Sequence, residues 1–234
     1  MKKICLVLVV LFSFSSFAFE NWLEFYSSRY GVDNVDEKII DNQGNGFDEL
    51  YGLRNMRVIL KGVAYRGGAN NYYHRTNRRN NVNPLPEDGI EHLCKDGFGA
   101  AVYLYSTRFE TATHYLACDS LRGANEFRYH KLNPLSQADL KSILKLVYET
   151  LMDYRHGPVY LHCWNGWHAS GLASASVLKQ FCDYTSEQAV AYWDRNTDGN
   201  NTNPKYERIR QRIRNFEPIK EFQISEELKA KVCL

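Results

Sequence analysis

The chain has 234 residues, 44% of them hydrophobic and 24% charged, with a net charge of +2. These proportions fit one globular domain with a sizeable core, or one domain carrying arms. The near-neutral balance excludes the bulk basic field on which nucleic-acid and membrane-surface binding rely, so no nucleic-acid partner is expected.

At the N-terminus, Lys2 and Lys3 precede an apolar run from Ile4 to Phe12 that is too short to span a bilayer. Ser16-Phe17-Ala18 then offers a small-x-small cleavage site. Residues 1–18 therefore read as a signal peptide, with an uncleaved anchor as the alternative. The mature protein is expected to be exported, periplasmic or secreted, with no membrane span after cleavage. Export exposes thiols to oxidation. Cys94, Cys118, Cys163, Cys182 and Cys233 remain after cleavage. That number is odd, so at least one is unpaired or pairs between chains, and spacing does not assign the bridges.

Residues 19–55 are aromatic at first, with Trp22, Phe25 and Tyr26 at helical spacing, and then rich in Asp, Asn and Gly. They read as an N-terminal arm whose aromatic trio packs on the domain. The domain itself is expected over 56–216. Met56 to Tyr65 alternates as a strand, closed by a turn at Tyr65-Arg66-Gly67-Gly68. Residues 69–83 form a polar loop, with Arg75, Arg78 and Arg79 either solvated or walling an anion. Leu85 to Asp88 opens a helix through Leu93, ended by Gly97. Gly99 to Tyr105 and Asn125 to Leu132 read as strands. Ser136 with Asp139 caps a helix whose Leu140, Ile143, Leu144, Val147 and Leu151 form one stripe. Pro158 to His162 is a strand, and Leu172 to Leu178 a buried helix. Thr185 with Gln188 starts another helix, and Pro204 opens one carrying Tyr206, Ile209, Ile213 and Phe216. Residues 217–234 read as a C-terminal tail with a short helix. This alternation predicts an α/β fold: a central, mostly parallel sheet flanked by helices.

The chain is organised around His162-Cys163-Trp164-Asn165-Gly166-Trp167-His168-Ala169-Ser170-Gly171. A strand feeding a helix through a tight loop points backbone N–H groups at one spot, on the positive end of a helix dipole. That spot suits an anion. A cysteine at the loop's start is placed to act as a nucleophile. The plain alternative is a small buried hydrophobe after an apolar strand. The strand should be central, with the ligand at its carboxyl end.

These residues resemble the active-site loop of the cysteine-dependent protein tyrosine and dual-specificity phosphatases: His-Cys, two residues, Gly, two residues, Arg, Ser or Thr, Gly. His162, Cys163, Gly166, Ser170 and Gly171 fall in register, and Ala169 stands where the arginine belongs. The resemblance runs roughly from Arg66 to Phe216. Tyr65-Arg66-Gly67 is similar to the opening of many dual-specificity members, and Asn201 to Phe216 to the region after their second active-site loop. It implies a fold of the dual-specificity type, with Cys163 as nucleophile and Ser170 assisting breakdown of a phosphocysteine. It also implies that His162 holds the loop. Trp164, Asn165, Gly166, Trp167, Ala169 and Gly171 would then surround an anionic, phosphorylated ligand. The family's general-acid aspartate maps onto Tyr129 to Pro134, which holds no carboxylate, so His130 is the substitute in reach. His168, next to the vacant position, is a candidate to replace the missing cation when protonated, and Arg66, Arg75, Arg78, Arg79 or Arg195 could reach in from another loop. Trp164 and Trp167 either stack on a ring or sugar or simply pack. Three functions compete. The first is a hydrolase of phosphomonoesters through a Cys163 phosphocysteine. The second is a pseudophosphatase that binds an anionic ligand. The third is a structural envelope protein on the same fold.

No organic cofactor is expected. Asp194, Asn196, Asp198 and Asn200 space oxygen ligands like the front half of a calcium loop, but Lys205 stands where the closing Glu belongs. A polar turn is the alternative.

Overall fold

A computed structural model describes residues 22–26, 28–69 and 83–234. The expected signal peptide and the loop with Arg75, Arg78 and Arg79 lie outside the described residues. The elements in chain order are β1 (Leu53–Leu60), β2 (Ala64–Ala69), α1 (Glu87–Lys95), β3 (Ala100–Tyr103), β4 (Tyr115–Ser120), β5 (Gly123–Lys131), α2 (Gln137–Met152), β6 (Val159–Cys163), α3 (Ala169–Phe181), α4 (Ser186–Arg195), α5 (Glu207–Arg214) and α6 (Glu226–Val232).

The strands form one sheet in the order β1-β2-β6-β3-β5-β4. The four inner strands run parallel, while β1 and β4 are antiparallel edges. This is an α/β fold with a mostly parallel central sheet flanked by helices. All five residues of β6 are buried, as a strand covered on both faces requires. One face packs on α2 and α3 through Leu144, Val147, Leu161, Leu172 and Phe181. The other face packs aromatic residues, among them Tyr26, Tyr65, Phe98, Phe127 and Tyr160. The Ser136 side chain caps α2, and Thr185 with Gln188 closes a complete capping box on α4.

Four expectations need correction. The stretch before β1 is not a loose arm: Leu23, Tyr26, Tyr30, Val32, Ile40 and Leu50 are buried. Tyr26 donates its hydroxyl to the Asp96 carbonyl at 2.8 Å, and Tyr30 and Arg29 both bind the Asp96 carboxylate. The strand expected over 56–65 is the β1–β2 hairpin. Tyr65 to Gly68 lie inside β2 rather than in a turn.

The glycines serve close approach instead. A Cβ on Gly68 would sit 2.6 Å from the Trp164 carbonyl oxygen, and one on Gly67 2.8 Å from that of Arg54. Strand β4 was not foreseen. Its residues alternate between exposed and half-buried, as an edge strand does, and the Cys94–Cys118 disulfide ties it to α1. The C-terminal segment is not a free tail. Phe222 and Val232 are buried, and the Cys182–Cys233 disulfide fastens the segment to the end of α3. Among the described residues no helix is long and apolar enough to cross a membrane.

Candidate active site in the loop between β6 and α3

Cys163 closes β6, residues 164–168 form the loop, and α3 begins at Ala169. Gly166 has φ +78°, a left-handed conformation that glycine adopts without a Cβ penalty. The Cys163 Sγ lies 3.3 Å from the Ser170 Oγ. Cys163 is the free cysteine of the described chain. It lines a cavity of about 420 Å³ together with Tyr105, Trp164, Asn200, Thr202, Asn203 and Tyr206, among others.

The loop is held from behind through its carbonyls. The Arg54 guanidinium donates to the Trp164 carbonyl at 3.1 and 3.0 Å and to the Asn165 side-chain oxygen. The Asn55 amide donates to the Asn165 carbonyl at 2.7 Å. Arg66 donates to the Gly166 carbonyl and, at 3.1 Å, to that of Trp167. The Trp193 indole donates to the His168 carbonyl at 3.2 Å. Every carbonyl from residue 164 to 168 therefore faces a donor outside the loop. In a planar trans peptide the N–H points opposite to the C=O. The amides of residues 165 and 167–169 are accordingly turned away from these donors, while that of Gly166 faces β2, where Asn165 forms an isolated bridge with Gly68. On the inner side of the loop the N-terminus of α3 adds its positive field.

Arg54 and Arg66 are fully buried. Burial, and then the Arg66 charge, pull the neighbouring Arg57 down to about 10. Among the described residues no carboxylate pairs with Arg66. Its charge polarises the loop carbonyls and so strengthens the amides across from them as donors. Arg66 was expected to touch the ligand. Instead it backs the loop, because β2 lies beside β6 and directs this side chain under residues 166–167.

His162 is buried and stacks between Tyr103 and Tyr160, with centroids 5.2 and 5.7 Å away. Its Nδ1 donates to the Cys163 carbonyl at 3.3 Å, so its Nε2 accepts from the Tyr129 hydroxyl at 2.7 Å. That hydroxyl in turn accepts from the Leu85 amide at 3.0 Å. Burial pushes His162 down to about 3. It is therefore neutral and held in one tautomer.

A buried neutral histidine makes stability depend on pH. The unfolded chain takes up a proton near 6.5 and the folded chain near 3. The stabilisation is complete above pH 6.5 and falls away as pH drops toward 3, by on the order of 4 kcal/mol. Urea midpoints measured from pH 7.5 to 4 should fall steeply in the wild type and more shallowly in His162→Gln. Parallel curves would refute this role.

His168 was expected to donate to an anion when protonated. It stacks on Tyr206 at 4.1 Å and donates its Nε2 proton to the Asn200 carbonyl at 2.6 Å. Burial, with Lys205 and Arg66 adding to it, holds its pKa below the usual value despite that bond. The neutral ring then offers only an acceptor, at Nδ1.

His130 does not reach the site. It lines a separate cavity with Leu146, Glu149 and Thr150 of α2. Side chains alternate along β5, so Tyr129 rather than His130 points to His162. The two tryptophans part company. Trp164 stays half exposed at the cavity, its indole donating to the Tyr103 hydroxyl at 3.3 Å. Trp167 is buried and donates to Asp198 at 3.1 Å.

The calcium pattern does not converge either. Arg210 and Asn201 take the Asp194 carboxylate, each at 2.6 Å. Lys38 and Arg57 take Asp198, at 2.9 and 3.5 Å. Asn196 binds Asp36, and the Asn200 carbonyl binds His168. These oxygens are already answered by cations and donors in different directions. No metal-ligating cluster of three or more His, Cys, Asp or Glu exists among the described residues. Of this stretch, Gly199 and Asn200 instead wall the cavity, and the Asn200 carbonyl anchors its histidine.

Sequence reasoning missed Arg54, Asn55, Tyr129 and Trp193 as supports, and Tyr105, Thr202, Asn203 and Tyr206 as lining. Asn203 carried a signal, since it caps the turn opened by Pro204. Arg54 and Asn55 carried none. The cavity over Cys163 is lined by neutral side chains: no carboxylate, lysine or arginine is among the described residues that form it.

No family model matches the chain, and no curated protein matches it. Two solved structures are similar in fold. One is the crystal structure of Tk-PTP in the active form, with 15% identity and a TM-score of 0.45, covering 70% of this chain and 98% of that one. The other is a glycine-to-alanine mutant form of Tk-PTP, with 16% identity and a TM-score of 0.44, covering 68% and 93%.

Proposed function

We propose that this protein is an exported, phosphatase-like module that binds a phosphorylated ligand at the Cys163 loop without efficient turnover. The observation that carries it is the orientation of the loop. Five successive carbonyls are drawn outward by buried donors while the cavity over Cys163 lacks both an arginine and a carboxylate among the described residues. Inward amides suffice to hold an oxyanion. Turnover asks for more. A missing transition-state donor costs about 10²–10³ in rate, and a missing general acid about 10²–10⁴.

The free Cys163, beside two disulfides that take the other described cysteines, favours a ligand site over a pure scaffold. The same disulfides and the N-terminal segment support export into an oxidising compartment.

A second reading, a hydrolase, is favoured by the 3.3 Å contact between Cys163 Sγ and Ser170 Oγ. The Cys163 thiolate would attack phosphorus, forming an S–P bond as the ester P–O bond breaks. Water would then cleave the S–P bond to release phosphate. Without an acid the departing oxygen leaves unprotonated, which confines this route to aryl phosphates.

Calorimetry with phosphate and vanadate, beside assays on an aryl phosphate and an inositol phosphate panel, separates the readings. Phosphate should bind to wild type and to Cys163→Ser, with no turnover in either. Turnover that Cys163→Ser abolishes would establish the hydrolase. Absence of phosphate and vanadate binding in both would overturn the oxyanion site.

A further inference from the structure

We propose that the cavity above Cys163 receives the ring of a monophosphorylated sugar or cyclitol, stacked on Tyr105 and Trp164, with its phosphate in the Cys163 loop. This rests on the oxyanion reading above and adds the class of ligand. Tyr105 and Trp164 are 43% and 41% exposed, among the few large hydrophobic side chains left open in the described structure. Both line the cavity, and they stack together with centroids 5.9 Å apart and planes inclined by 29°. Open aromatic faces of this kind bury well against the C–H face of a ring. The cavity's volume of about 420 Å³ lies in the range of small-ligand sites.

The opposite wall supplies hydroxyl chemistry. Asn203 accepts the Lys205 amide at its Oδ1, which leaves its NH₂ group without a partner among the described residues. Asn200 spends its NH₂ group on the Thr197 and Asp198 carbonyls, which leaves its side-chain oxygen as an acceptor. Thr202 adds a hydroxyl that donates and accepts. A donor, an acceptor and a hydroxyl held on one wall match ring hydroxyl groups. A bare aryl ring would stack but leave all three unanswered. Among the described residues this wall bears hydroxyl and amide groups and no cation, which suits ring hydroxyl groups rather than further phosphates. Lys205 and Arg208 belong to an adjoining groove, on the far side of His168 and Tyr206.

Calorimetry on the mature chain should use inorganic phosphate, phenyl phosphate, fructose 1,6-bisphosphate and a panel of hexose, pentose and cyclitol monophosphates. At least one monophosphate of the panel should bind about tenfold more tightly than both inorganic and phenyl phosphate, the size of one stacking contact plus one hydrogen bond. That ratio should collapse toward one in Tyr105→Ala and in Asn203→Ala. Phosphate binding with no gain from any panel member would overturn this proposal and leave the oxyanion site standing. Preference for phenyl phosphate would replace the sugar by an aryl ligand. Preference for the bisphosphate would mean that the adjoining cations take a second phosphate. Either preference overturns the assignment. Failure of every phosphate-bearing probe overturns the oxyanion reading itself.

Discussion

Arg66→Met should abolish phosphate binding at the Cys163 loop and lower stability by about 2–4 kcal/mol, since two buried carbonyls lose a charged donor. Methionine keeps the apolar stem of the side chain but leaves the Gly166 and Trp167 carbonyls unanswered. Those peptide units are then free to rotate, and rotation turns a carbonyl where an amide had faced the anion. The stability loss is limited by an opposing effect. Arg66 is a buried charge with no carboxylate partner among the described residues, so its removal also relieves a desolvation penalty. Affinity should therefore fall further than stability. Arg66→Lys keeps the charge without the planar fork and should give intermediate affinity. Urea unfolding and phosphate calorimetry provide the two readouts. Arg54→Lys serves as a second variant should Arg66→Met fail to fold, because it loosens the grip on the Trp164 carbonyl and the Asn165 side chain while leaving the Gly166 and Trp167 carbonyls held by Arg66. Folded variants that bind phosphate as tightly as wild type would show that the loop orients its amides without these arginines.

Ala169→Arg should raise the rate on an aryl phosphate by about 10²–10³, the value of one transition-state donor. Position 169 is the first residue of α3, half buried, beside the loop amides. A guanidinium there would bring a bidentate fork to the phosphoryl oxygens. The gain should be confined to aryl esters, because among the described residues of the cavity there is no carboxylic acid to protonate an alkoxide. Initial rates with para-nitrophenyl phosphate measure it, and the double variant with Cys163→Ser sets the background. Phosphate binding intact with no gain in rate would mean that Cys163 does not lie in line with a bound phosphoryl group, and the hydrolase reading would then fail.

The sequence by itself determined the elements whose signals are local. The β6-loop-α3 unit was legible because an apolar run, a glycine that needs φ +78° and a run of small residues stand within a few positions of one another. The capped starts of α2 and α4 were legible for the same reason. The loop motif also showed that Cys163 and Ser170 should meet while Ala169 leaves a gap.

What only the tertiary structure decided was where side chains from distant strands point. Arg54 and Arg66 reach the loop across 110 and 100 residues of chain, and nothing local marks them for it. Tyr129 and His130 differ by one position, and the pleat of β5 gives the first to the site and the second to another cavity. Tyr65 to Gly68 read as a turn because glycine pairs usually make one, yet here they lie in β2 so that Trp164 and Asn165 can rest on it. The same holds for Asp194 to Asn200, a polar turn whose carboxylates Lys38, Arg57 and Arg210 neutralise. Local sequence encodes backbone preference within a turn or two. The partner of a buried donor is set by strand order, which places β2 against β6 although some 90 residues separate them.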